Sequence, residues 1–140
     1  MSAFIDGTNV YGFTEELLEI LRDHGDGRKD HRHLFMPEHS SKFGSRLPTT
    51  RDATVRGHED TVKSFETPPF LNEKREPDFV AGDTRCSENM MLNSLHHTFA
   101  RLHNNLADGL ANAGVEMSED DLFFEARQIN IAIMNNIGKP

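Results

Sequence analysis

The chain has 140 residues, of which 36% are hydrophobic and none is Trp, and its formal net charge is −8. That length fits one domain or part of one, and the apolar share is thin against the usual roughly 45–50%. The acidic balance excludes the clustered Lys and Arg that nucleic acid requires and disfavours an anionic membrane surface.

Residues 1–12 read as an extended loop in which Ser2, Phe4, Asp6 and Thr8 alternate, with Gly7 and Gly12 allowing tight backbone. Thr14 to about Asp23 reads as a short helix. Thr14 is placed as its N-cap, Glu15 and Glu16 suit the positive end of the dipole, and Phe13 with Leu18 forms a hydrophobic staple. Leu17, Leu18 and Leu21 make its apolar side, and Gly25 stops it. Residues 24–77 are polar and irregular and are expected to have no core of their own, as surface loop on a larger body or as a partly disordered stretch. The histidines there, His24, His31, His33, His39 and His58, are expected to be solvated loop residues, because no second pair stands at metal-ligand spacing beside His31 and His33.

The main helix is predicted over 84–112, ending near Gly114, and a second over 118–136, with Ser118 and Asp121 as a capping-box-like start. The short connection predicts antiparallel packing. At about 100° per residue, Leu92, Leu95, Phe99, Leu102, Leu106 and Leu110 fall on one face of the main helix, with His96 and His103 as core histidines beside them. Asn93, Arg101, Asn104, Asn105 and Asp108 point the other way. On the second helix, Leu122, Ala126, Ile129 and Ile133 share a face. Extended back one turn, the main helix puts Arg85 and Glu88 on its buried side, where a charge needs a partner. An ion pair of Arg85 with Asp83, Glu88 or Glu125 would satisfy that need, and so would a cofactor. No run is long enough to span a bilayer, and no basic segment precedes an apolar one at the N-terminus. Cys86 stands alone and forms no internal disulfide, so cysteine usage is silent on compartment.

Three stretches, taken in order, resemble one family. Ala81-Gly-Asp-Thr-Arg-Cys-Ser-Glu88, continued by Leu92-Asn-Ser-Leu-His96 and Arg101-Leu-His-Asn104, is similar to the animal haem peroxidases, which include myeloperoxidase-like, peroxidasin-like and thyroid-peroxidase-like enzymes. Phe4-Ile-Asp-Gly-Thr-Asn-Val-Tyr-Gly12 resembles that family's calcium loop, and Glu125-Ala-Arg-Gln-Ile129 its next helix. Residues from about 30 to 77 match poorly.

The resemblance implies a mostly α fold: a partial peroxidase domain over 1–140, with two long antiparallel helices, one short helix and long irregular loops. It implies haem b, covalently linked, and calcium as cofactors, with hydrogen peroxide and a small oxidisable substrate as partners. It implies Arg85 as the catalytic Arg of the peroxide side and Glu88 as the carboxylate that esterifies a haem methyl group. It implies Ser2, Phe4 (through its carbonyl), Asp6 and Thr8 as part of a calcium site. One carboxylate alone makes a poor calcium site, and the bare residues would read as an Asp-Gly turn. Asn89 stands where the myeloperoxidase branch has a haem-linked Met, so no sulfonium link is expected. The family is mostly secreted, vesicular or anchored outside the cell.

None of the eight histidines matches either haem histidine of the family by motif. The expectation is therefore an internal peroxidase segment, incomplete and inactive alone, whose partners include the missing remainder of the domain. The alternative is a non-enzymatic helical interaction module derived from a peroxidase, binding a partner through its Leu stripe. Marginal stability and exposed apolar surface are expected in either case.

Overall fold

The computed structural model describes residues 7–12, 14–28, 30–36, 46–55, 57–58, 79–83, 90–114 and 116–138. Its helices are α1 (Thr8–Tyr11), α2 (Glu15–Arg22), α3 (Thr50–Val55), α4 (Met90–Asn112) and α5 (Glu119–Ile137). Among the described residues the one β pairing is an antiparallel bridge between Thr49 and Phe79. The mostly α expectation therefore holds, with three short helices among the described residues where one was expected. The predicted extended loop is corrected at its end. Thr8–Tyr11 is a helical turn, entered at Gly7 in the left-handed region (φ 71°) and closed by Gly12 N–H donating to the Thr8 carbonyl (2.9 Å).

Local signals account for the helix ends. The Leu17 N–H donates to Thr14 Oγ1 (3.2 Å), and the Asp121 N–H donates to Ser118 Oγ (3.1 Å). Each satisfies an amide that a helix start leaves free. The predicted stop at Gly25 falls slightly late: α2 ends at Arg22, with Asp23 as its C-cap. The staple residue Phe13 and the predicted start of the main helix at 84–89 lie outside the described residues.

The two long helices run antiparallel, since Phe123 meets His103 while Asn130 meets Phe99. Their buried faces differ from the predicted ones. On α4 the buried positions are His96, Phe99, Ala100, His103 and Ala107. Of the predicted stripe only Phe99 is buried: Leu92, Leu102, Leu106 and Leu110 are half-buried, and Leu95 is 40% exposed. The reason is steric. Tyr11 and Phe123, both fully buried, press their rings against the centre of α4, and small residues and an imidazole make room for them. The leucines flank that contact. On α5, Asn130 is buried where Ile129 and Ile133 were expected, beside Leu122, Phe123, Ala126 and Met134.

Residues 30–36 also depart from the expected coreless loop. They form a strap across α2 and α4, with Leu34 in the core. The Asn104 side chain accepts from the Leu34 N–H (2.8 Å) and donates to the Leu34 carbonyl (3.0 Å). The Phe35 N–H donates to the Leu21 carbonyl (2.7 Å). Leu47 adds a second apolar anchor.

Gly82 fixes the approach of the 79–83 segment to α1. A Cβ there would stand 2.3 Å from the Thr8 carbonyl oxygen and 2.4 Å from the Gly12 nitrogen. Both are backbone atoms with no rotamer to yield. Gly82→Ala is therefore expected to lower unfolding free energy by about 1–3 kcal/mol, the usual cost of overpacking. Urea denaturation with an unchanged slope would show it. An unchanged midpoint would mean that α1 shifts freely.

Candidate functional site

The structure brings two of the sequence-matched stretches into contact. Ala81 and Gly82 are buried against α1, so the residues leading toward Arg85 and Glu88 abut those following Asp6. Thr8, half-buried, opens α1. Arg85 and Glu88, with Ser2, Phe4 and Asp6, lie outside the described residues.

Beneath this junction runs a buried chain of hydrogen bonds that sequence reasoning did not single out. Asn130 Nδ2 donates to the Tyr11 hydroxyl oxygen (3.0 Å) and to the Phe99 carbonyl (3.0 Å). The Tyr11 hydroxyl lies 2.7 Å from His103 Nδ1, and His103 Nε2 lies 3.0 Å from the Arg32 carbonyl. A carbonyl only accepts, so Nε2 carries the ring proton. Nδ1 is then the acceptor, and Tyr11 donates to it. Tyr11 and His103 are both 0% exposed. Burial first, then the charges of His33, Arg22 and Arg127, push the His103 imidazole down to about 4, against the pull of its bond to the Arg32 carbonyl. Burial pushes the Tyr11 phenol well above its usual range, against the pull of Asn130 and Arg127. One signal could have revealed this network: a polar Asn130 stands four residues after Ala126 and four before Met134, in an otherwise apolar ridge.

Cations frame the same core. The buried Arg22 guanidinium lies 4.0 Å from the centroid of the Phe123 ring. It donates to the His31 carbonyl from Nε and Nη2 (3.1 and 2.7 Å) and pairs through Nη1 with Asp120 (2.9 Å). Arg127 lies 5.0 Å from the Tyr11 ring centroid.

His96 is a core histidine, as expected. Its Nδ1–H donates to the Leu92 carbonyl (2.7 Å), and its Nε2 is buried with no hydrogen-bond partner among the described residues. Of the loop histidines, His39 lies outside the described residues, and His24, His31, His33 and His58 are not free in solvent, contrary to expectation. His31 Nε2 meets Asp26 (2.9 Å), His33 Nε2 meets Asp108 (2.6 Å) and His58 Nε2 meets Asp23 (2.5 Å). His24 stacks on His31 with centroids 3.9 Å apart, and burial lowers its pKa. These are separate pairs. Among the described residues no three His, Cys, Asp or Glu side chains gather as a metal would need.

Two cavities matter to the question of a cofactor. A small apolar cavity of about 10 Å³ lies among Val10, Leu34, Leu47, Ala81, His96 and Ala100, with room for at most one water. An open groove of about 420 Å³ is lined by Phe79, Asn93, Ser94, His97, Thr98 and Arg101. Neither of these two encloses a porphyrin, and Arg85 and Glu88, the residues that the resemblance assigns to haem, lie outside the described residues. No helix among the described residues is long and apolar enough to cross a membrane.

A family model described as animal haem peroxidase matches residues 1–138. The chain is 29% identical over 135 residues to the peroxidasin homolog of Homo sapiens, covering 92% of this chain and 8% of that protein. It is 34% identical over 131 residues to the eosinophil peroxidase of Mus musculus, covering 92% and 16%. It is 33% identical over 135 residues to the chorion peroxidase of Drosophila melanogaster, covering 96% and 14%. The chain thus spans less than a fifth of the length of each of these relatives.

His103 makes the fold pH-dependent. Its folded pKa of about 4 lies below the usual value near 6.5, so the unfolded chain binds the extra proton first as pH falls. The stability it supports is complete above about pH 6.5 and is lost toward pH 4, by about 3 kcal/mol in all. Urea midpoints measured across that range should fall in the wild type and fall less in His103→Gln. Parallel profiles would show that His103 does not carry the effect.

Proposed function

We propose a function from one premise: this chain belongs to the animal haem peroxidase family. It is a segment of a domain that binds haem and uses hydrogen peroxide to oxidise a small substrate, and that meets oxidative stress outside the cell. The observation that carries this reading is the match over residues 1–138, supported by the packing of Gly82 against Thr8–Gly12. That packing sets two of the family-like motifs side by side.

In this reading haem supplies the iron at which peroxide reacts. Arg85 would hold a fixed positive charge on the peroxide side, and Glu88 would be the carboxylate that anchors the ring. Ser2, the Phe4 carbonyl, Asp6 and Thr8 give oxygens to a calcium ion, which is completed by residues outside this segment. The network under α1 holds the frame that spaces these groups. With no haem histidine matched by motif, these 140 residues do not sustain turnover by themselves, and the remainder of the domain is their natural partner.

A second reading is a non-enzymatic interaction module. The observation favouring it is the apolar surface left open on the long helices, where Met91 is 78% exposed and Ile137 68%.

A haem titration of the purified chain, beside Glu88→Gln, separates the two readings. The expected outcome is a one-to-one Soret shift in both proteins. Peroxide treatment should then make the haem resistant to acid-acetone extraction in the wild type only. Peroxide-dependent oxidation of a phenolic dye should stay at the level of free haem. Loose haem binding with no difference between the two proteins would favour the interaction module.

A further inference from the structure

Tyr11 is the only tyrosine of the chain, which has no tryptophan. It sits in the one place where its hydroxyl proton has a dedicated acceptor. The Arg32 carbonyl keeps a proton on His103 Nε2 (3.0 Å), so Nδ1 presents its lone pair to the phenol at 2.7 Å. Asn130 Nδ2 donates to the same phenol oxygen (3.0 Å), which steadies it when it becomes the acceptor. The ring is 0% exposed, with Phe123 edge-on at 5.9 Å.

We propose that Tyr11 and His103 form a redox-active pair, in which a strong outer-sphere one-electron oxidant converts Tyr11 to a neutral tyrosyl radical while His103 takes its proton. The Tyr11 O–H bond breaks, an N–H bond forms at His103 Nδ1, and the electron passes to the oxidant, which is reduced by one electron. The imidazolium keeps its Nε2–H on the Arg32 carbonyl. Re-reduction of the radical returns the proton along the same 2.7 Å bond. Among the described residues His103 is the base in hydrogen-bond contact with the oxygen, since Asn130 offers it only a donor. Burial keeps the imidazole neutral beforehand, so the acceptor is ready when the electron leaves. Arg127 over the Tyr11 ring, and Arg22, whose charge is felt at His103, raise the potential of the pair, which makes it a radical that returns readily to the phenol. The inference does not depend on haem binding.

The test uses the purified full chain with flash-generated tris(bipyridine)ruthenium(III), read by transient absorbance and electron paramagnetic resonance. The expected result is a tyrosyl radical whose formation slows in deuterium oxide. It is absent in Tyr11→Phe and forms about a hundredfold more slowly in His103→Gln, the usual contribution of a positioned base. Gln keeps a hydrogen-bond acceptor but cannot take the proton, so a merely structural bond would leave the rate unchanged. A wild-type chain that gives no radical, or a His103→Gln chain that forms it at the wild-type rate, overturns the proposal. Should His103→Gln lose its helical circular dichroism, the wild-type solvent isotope effect decides the matter, and its absence overturns the proposal.

Discussion

The bond between the Tyr11 hydroxyl and His103 is the contact on which the rest of the structure depends. It joins residues 92 apart, tying the turn of α1 to the middle of α4. Asn130 extends the connection to α5 and the Arg32 carbonyl extends it to the strap. Four segments that share one apolar core are thus also registered by one line of polar atoms. A line of this kind is costly when any member is left unmatched, since a buried donor or acceptor without a partner loses its hydration for nothing. Among the described residues the Asn130 amide oxygen has no partner, so the amide is oriented by its two donor contacts.

What the sequence disclosed was local. Thr14 and Ser118 were legible as caps because a cap is decided within four residues, and the two long helices were legible from periodicity. The faces were not. Counting leucines put Leu95 inside and gave Ala100 and Ala107 no weight, yet the neighbours are large rings and the contact calls for small side chains. Asn104 and Asp108 read as solvent-facing because nothing in their own helix reveals that Leu34, Arg32 and His33 lie across them. Of the candidate site, Thr8 and the 81–83 approach were placed by motif and meet in space. Tyr11 and Asn130 were overlooked because their roles arise from one another, 119 residues apart, and from no spacing within a helix.

Arg22 shows the same logic with charge. A guanidinium at 6% exposure would be unfavourable alone. Here its donors are divided between the His31 carbonyl and Asp120, and its face covers Phe123. It therefore joins α2, the strap and α5 at one point, and a lysine, lacking the planar fork, could not make all three contacts.

The strap has a consequence for the order of assembly. Its anchors are long in sequence: Leu34 to Asn104 spans 70 residues, and Arg32 to Glu119 spans 87. Closing such loops costs chain entropy before any bond is gained. The α4–α5 hairpin closes through the short connection from 113 to 118, so it can form early and alone. The strap has nothing to dock on until Asn104, Asp108 and Glu119 are already arrayed on those two helices. It is thus expected to be the last piece laid down and the first to lift in native-state hydrogen exchange, well before the hairpin amides open.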